Sequence, residues 1–372
     1  MLTIVQLVPA LDAGGVERGT LEIARELVQR GHRAIVVSAG GRLVPTLEAA
    51  GAQHVKLDIG RKSPLALARI GALRRLLESE RAHIVHARSR LPAWIGLFAL
   101  RGLRGAARPH FVTTVHGPYS VNAYSAVMVR GERVIAVSAF IRDYILKNYP
   151  GFDAARLCTI PRGVSAAEFP RNYRPGAAWR TTWDNQFPQS RGRALVTLPA
   201  RITRWKGQSD FLRVIQLLRG RGVDVHGLVA GGADPRRAGF LRELREQVRA
   251  LGLEEAVSFA GARDDLKDIM AASKVVLSLA NEPEGFGRTA LEALCLGVPV
   301  VAYDHGGASE VLQALLPQGL VAPLDVAAAA ARVESFLGAP PSIAAANPFT
   351  LERMLHDTLA VYRELVGQDR RL

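Results

Sequence analysis

The stretch NEPEGFGRTALEAL, residues 281–294, sets two carboxylates, Glu284 and Glu292, on either side of a Gly-Phe-Gly turn that runs into an apolar helix. Gly285 and Gly287 permit close backbone approach or positive φ, and the amides of Gly287, Arg288 and Thr289 open the helix, which together make a cradle for an anion such as phosphate. Ala290, Leu291, Ala293, Leu294 and Leu296 make the helix apolar nearly all round, so Glu292 is expected to be a carboxylate in poor solvent that needs partners. Two readings stand for it: a vicinal diol such as a ribose, or an ion pair with Arg288 one turn back, in the less favourable helical order. A phosphate cradle beside a diol acceptor describes a nucleotide diphosphate.

Three further loops carry candidate groups. PARITRWKGQ, residues 199–208, follows a strand and precedes a helix, and its Arg201 and Lys206 suit neutralisation of a pyrophosphate. ALDAGGVERG, residues 10–19, lacks the G-x-G-x-x-G dinucleotide spacing, and no Walker loop occurs elsewhere, so Gly14 and Gly15 are expected only to let backbone lie close to a ligand. TTVHGPYS places His116 just after a strand. No H-E-x-x-H, cysteine cluster or D-x-D pair is present, so neither a metal nor another cofactor is expected.

These loops need a frame to position them. Short β-branched runs without polar alternation (TIVQLV, RAIVVSA, HIVHAR, HFVTTVHG, then ALVTLPA, VHGLVAG, KVVLSLA) alternate with helical patterns, the signature of parallel strands buried on both faces. An α/β chain of 372 residues with 48% apolar residues has material for two cores. The expected domains are residues 1–165, joined by a C-terminal helix at 350–372, and residues 194–349, with 166–193 as a linker carrying one short helix. Two Rossmann-like sheets are expected to face each other across a cleft, with the glycine turns at the carboxyl ends of strands, where open α/β sheets collect ligands.

Charge is unevenly spread. Formal net charge is +14; residues 1–165 hold 23 Lys and Arg against 11 Asp and Glu, and the remainder 25 against 23. Arg61, Lys62, Arg69, Arg74, Arg75, Arg81, Arg88, Arg90, Arg101, Arg104 and Arg108 read either as a solvated basic face or as a surface for anionic lipid, at roughly 1 kcal/mol per residue near a charged membrane. Nucleic acid is not expected, because no aromatic-interleaved basic platform accompanies the charge. The N-terminus has no basic leader, and the apolar run LPAWIGLFAL at 91–100 falls short of the roughly 20 residues that span a bilayer. With Cys158 and Cys295 assigned to different domains, a reducing cytosol is the expected compartment.

The motifs GGVE, VHG, VSAFIRD, IPRGV, ARITRWKG, the E-x7-E pair Glu284 and Glu292, and GGASEVL at 306–312 resemble, over essentially the whole chain, the retaining glycosyltransferases of family 4, which have the GT-B fold. The resemblance implies that Glu292 binds ribose hydroxyls, Glu284 hydroxyls of the donor sugar, Arg201 and Lys206 the departing diphosphate, and the main chain of Gly15, Gly287, Arg288 and Thr289 the phosphates. It also sets His116 beside the donor sugar. Gly14, Arg263, Gly285 and Phe286 complete the expected donor site; Tyr119, Ser138 and Arg162 are expected on the acceptor side. Arg162 departs from the family, which commonly has Asn there.

The insert WRTTWDNQFP resembles that of enzymes building lipopolysaccharide core or related surface glycans. The expected activity is metal-independent, retaining transfer from a nucleotide-diphosphate sugar, uridine first and guanosine second, to a glycan or glycolipid hydroxyl at the inner face of the inner membrane. A sugar-nucleotide epimerase, a glycosidase and a non-catalytic scaffold are the alternatives. A retaining glycosidase needs two carboxyls about 5 Å apart as nucleophile and acid/base, whereas here one acid lies on a loop and the other within a helix.

Overall fold

The computed structural model describes residues 1–12, 14–61, 66–105, 108–233 and 238–369. Lys62, the start of the helix expected from 64 and that of the helix expected from 236 lie outside the described residues. The chain divides into two compact units, Met1–Arg162 with Leu351–Leu372, and Gly163–Thr350.

In the first unit seven strands form one parallel sheet: β1 (Thr3–Leu7), β2 (Arg33–Ser38), β3 (Gln53–Lys56), β4 (Ile84–Ala87), β5 (His110–Val115), β6 (Arg133–Ala136) and β7 (Leu157–Thr159), in the order β3-β2-β1-β4-β5-β6-β7. The strand order reverses between β1 and β4, the place where doubly wound sheets open a crevice. Both strands are buried throughout, which is why their sequences are apolar without alternation. The helix Gly15–Gln29 packs on this sheet through Ile23, Ala24 and Leu27. Met354, Leu359, Tyr362 and Leu365 of the C-terminal helix Leu351–Asp369 join the same core, so the end of the chain belongs to the first unit. Each such fully buried aliphatic or aromatic side chain contributes about 1.5–3 kcal/mol.

The second unit repeats the plan with β8 (Ala194–Leu198), β9 (Val225–Ala230), β10 (Val257–Gly261), β11 (Val275–Ser278), β12 (Val300–Tyr303) and β13 (Leu320–Val321), all parallel in the order β10-β9-β8-β11-β12-β13.

Residues 166–193, expected as a linker, lie within the second unit. Their helix Ala177–Gln186 stacks Trp179 on Trp183, and Trp183 on Phe187, at centroid separations of 5.1 and 4.5 Å. Trp183 and Phe187 form a core cluster with Leu195 of β8, Leu228 of β9 and Ile269. Pro and Arg at the ends of the segment mark its turns, but three aromatics at i, i+4 spacing make an apolar stripe, and the stripe decides its packing.

Among the described residues no helix is long and apolar enough to cross a membrane.

Candidate functional site

In the second unit the loops after β8 and β11 meet. Gly207, with φ +77°, precedes the helix Gln208–Gly220, and a Cβ there would lie 1.8 Å from the Leu279 carbonyl oxygen. Gly287, with φ +84°, precedes the helix Arg288–Cys295, and its Cβ would lie 2.7 Å from Ala308 Cα. Both positions require glycine, by conformation and by space. Neither helix start is capped by a side chain, so first-turn amides are left to other acceptors.

A crevice at these strand ends is lined by Leu198, Lys206, Ser278, Glu284, Thr289 and Ala290, among others. Lys206 Nζ stands 2.8 Å from Glu284 Oε1 and 4.2 Å from the centroid of the Trp205 ring, which fixes the ammonium at the crevice. Glu292 is 5% exposed, and Arg288 Nε donates to its Oε1 at 3.0 Å, so the ion pair considered from the sequence is formed. Each acid of the motif therefore has a cation, and the crevice holds Lys206, Glu284 and Thr289 together. Phe286 is buried and meets Phe349 edge-on at 5.5 Å, which fixes the turn through its side chain.

Two expected donor residues are not among those lining the crevice. Arg201 is exposed, and its carbonyl accepts from Gln208 Nε2 at 2.9 Å. Arg263 sends Nε and Nη2 to the two oxygens of Asp265 at 2.7 and 2.6 Å and Nη1 to Gln186 at 2.9 Å; Asp265 also accepts from Trp179 Nε1. Its donors are thus spent on Asp265 and on Gln186 of the aromatic helix. Support the sequence does not reveal comes from Asp210, which accepts from the buried Tyr303 hydroxyl at 2.8 Å, and from His305, whose Nε2 meets the Ala280 carbonyl at 2.7 Å.

The first unit places its candidates at the ends of β1, β4, β5 and β6. Gly14 (φ +147°) precedes the helix Gly15–Gln29. Arg162 is buried, and its Nη2 donates to the Gly15 carbonyl at 2.9 Å while its guanidinium crosses Gly19, where a Cβ would meet Nη2 at 1.7 Å. The family-atypical Arg162 therefore anchors the glycine turn, and Gly19 exists to admit it. Ser138 Oγ accepts from the Ile141 amide at 3.1 Å and caps the helix Ala139–Asn148.

His116 keeps Nε2 buried with no hydrogen-bond partner among the described residues, and its amide donates to the Tyr119 hydroxyl at 3.4 Å. Burial, reinforced by the nearby Arg162, Arg88 and His86, pushes the imidazole well below its ordinary pKa, so it is neutral. Arg88, expected on the basic surface, is 1% exposed. It follows β4 directly, and its Nη1 donates to Gln6 Oε1 at 3.0 Å, with Gln6 Nε2 in turn donating to the Thr20 carbonyl. Residue type alone assigns an arginine to the surface; its place after a strand buried on both faces is the signal for burial.

The glycosyltransferase family 4 model matches residues 13–168, and the model for glycosyl transferases group 1 matches residues 180–347. A solved glycosyltransferase from Rickettsia africae ESF-5 superposes with a TM-score of 0.83 at 28% identity, covering 98% of both chains. Among curated proteins, the mannosylfructose-phosphate synthase of Agrobacterium fabrum is 32% identical over 182 residues, 47% of this chain and 38% of that one. The lipopolysaccharide core biosynthesis mannosyltransferase LpsB of Rhizobium meliloti is 32% identical over 178 residues, 45% of this chain and 50% of its own. The chain thus spans about half or less of the length of the curated relatives it matches. With two parallel-sheet units and both family models along its length, the chain belongs to the family 4 glycosyltransferases of GT-B fold.

Proposed function

We propose that the protein transfers a sugar from a nucleotide diphosphate, carrying uridine or guanosine, to a hydroxyl of a glycan or glycolipid, with retention at the anomeric carbon and without a metal ion. The observation that carries this is the Lys206–Glu284 pair at the crevice, beside the uncapped start of the helix Arg288–Cys295. As the glycosidic bond breaks, negative charge accumulates on the leaving phosphate. Lys206, the exposed Arg201 and the helix amides are the donors for that charge, and a preorganised donor is worth about 100-fold in rate.

Glu292 is assigned to the ribose and Glu284 to the sugar hydroxyls. The first unit is assigned the acceptor, and its neutral His116 is assigned a hydroxyl of the donor sugar. The relatives' names, a lipopolysaccharide core mannosyltransferase among them, support a surface-glycan acceptor.

Peripheral attachment to an anionic inner-membrane surface fits the first unit's excess charge. Arg61, Arg75, Arg81, Arg101 and Arg104 are exposed, and on the helix Arg90–Leu100 Trp94 stacks on Phe98 with Arg130 and Arg101 over their rings. Liposomes containing anionic lipid are expected to retain the protein at low salt and release it at high salt; no retention at low salt removes the attachment.

A thermal-shift screen of nucleoside diphosphates tests the donor assignment, since a site ligand at 100 times its Kd adds about 2.7 kcal/mol of stability. Product analysis with a nucleotide sugar and an acceptor then separates transfer from epimerisation, which leaves the nucleotide attached.

A further inference from the structure

Among the described residues Arg88 is the largest fully buried side chain of the first unit, and only one of its three guanidinium nitrogens has a protein acceptor. Nε and Nη2 are closed to solvent and have no hydrogen-bond partner among those residues. A guanidinium stays protonated at any working pH, so this is a buried charge with donors unspent, an arrangement that is costly unless something pairs with it. The carboxylates that act on it electrostatically, Glu22 and Glu17, belong to the helix Gly15–Gln29, and neither accepts a hydrogen bond from the two unpaired nitrogens.

Geometry gives the unspent donors a shape. Nε and Nη2 form one edge of the guanidinium, the edge that meets two oxygens of a carboxylate or phosphate in parallel. Arg88 lies at the carboxyl end of β4, immediately before the helix Arg90–Leu100, whose start has no side-chain cap. At the end of the adjacent β5, His116 Nε2 is also buried and has no partner among the described residues, whereas the neighbouring His86 spends both nitrogens, on the Tyr362 and Thr114 hydroxyls at 2.6 Å each. Tyr119 is an electrostatic neighbour of Arg88, and its hydroxyl accepts the His116 amide at a long 3.4 Å. Arg90 lies 5.0 Å from the centroid of the Tyr119 ring.

We propose that the end of β4 forms an oxyanion receptor in which the Nε and Nη2 edge of Arg88 binds a carboxylate or phosphate carried by the acceptor. Tyr119 is the side chain that turns aside to admit it. The acceptor is thereby an acidic or phosphorylated sugar rather than a neutral one. This rests on the assignment of the acceptor to the first unit.

The test uses the full chain at constant ionic strength. Glucuronate and glycerol 3-phosphate supply the carboxylate and the phosphate, glucose is the neutral control, and binding is read by calorimetry and thermal shift. The wild type is expected to bind one of the two anions and not glucose. R88Q is expected to weaken that binding at least tenfold while leaving nucleoside diphosphate affinity unchanged. R88M, which removes the buried charge, is expected to melt higher than the wild type without ligand and to show no anion response.

Wild-type indifference to both anions overturns the proposal, since an internal water on the guanidinium edge then suffices. So does an R88Q variant that binds them normally, or one that loses nucleoside diphosphate instead, which assigns Arg88 to the donor. Failure of the wild type to bind any nucleoside diphosphate is a separate result, and it removes the donor assignment rather than the receptor.

Discussion

Lys206 and Glu284 neutralise one another at 2.8 Å, each side chain about one-fifth exposed or less, at the crevice beyond β8 and β11. On the proposed function, a diphosphate entering there is expected to compete with Glu284 for the ammonium, and the released carboxylate to accept from sugar hydroxyls.

Replacing Lys206 with Met removes the charge and keeps most of the side-chain volume. Turnover, followed as release of nucleoside diphosphate, is expected to fall about 100-fold, with a smaller loss of donor affinity, because the charge is needed most as the bond breaks. Equal losses in affinity and rate would assign Lys206 to ground-state binding.

Glu292→Gln is expected to weaken nucleoside diphosphate binding about 10- to 100-fold, the range for a lost charged hydrogen bond. The same change removes the carboxylate charge beside the partly buried Arg288. Denaturant unfolding separates the two effects: lower stability with unchanged donor affinity would leave Glu292 a purely structural partner.

Gly287→Ala puts a side chain at φ +84° and 2.7 Å from Ala308 Cα. A loss of about 1–3 kcal/mol is expected from the backbone strain alone, with activity falling as the cradle shifts. A melting temperature equal to the wild type's would show that the turn has another conformation available.

Burial drives the pKa of His226 down to about 4, with Arg193 adding to the shift, and the imidazole is held by Ser258 at 3.0 Å. The unfolded chain, with an ordinary value near 6.5, binds the proton first, so stability is full above that pH and falls as pH drops from about 6.5 towards 4, by roughly 3 kcal/mol in all. Urea midpoints at pH 7.5 and 4.5 check this. His226→Gln is expected to flatten the decline, and an unchanged slope would place the titration elsewhere.

The strands are legible because parallel strands covered on both faces must be apolar without a break, as Thr3–Leu7 and Ile84–Ala87 are. The two glycine turns are legible because left-handed φ before a helix admits little else. Leu320–Val321 escapes such reading because two residues carry no period. The aromatic helix reads as linker because its flanks are rich in Pro, Gly and Arg, although Trp179, Trp183 and Phe187 share a face.

What residue types conceal is pairing. Nothing in the chain's order shows that Arg162 crosses Gly19 or that Arg88 is buried against Gln6. These are contacts between segments far apart in sequence, and they decide which cations of a basic unit are on its surface.

On the proposed function, lysine, arginine and helix amides hold the donor's diphosphate in place of a metal. Calorimetric titration of uridine and guanosine diphosphates into the full chain in EDTA tests it most directly. Saturable binding of one of them by the wild type, weakened in Lys206→Met and unaffected by added magnesium, is the predicted result. Binding that appears only when magnesium is restored would contradict the account.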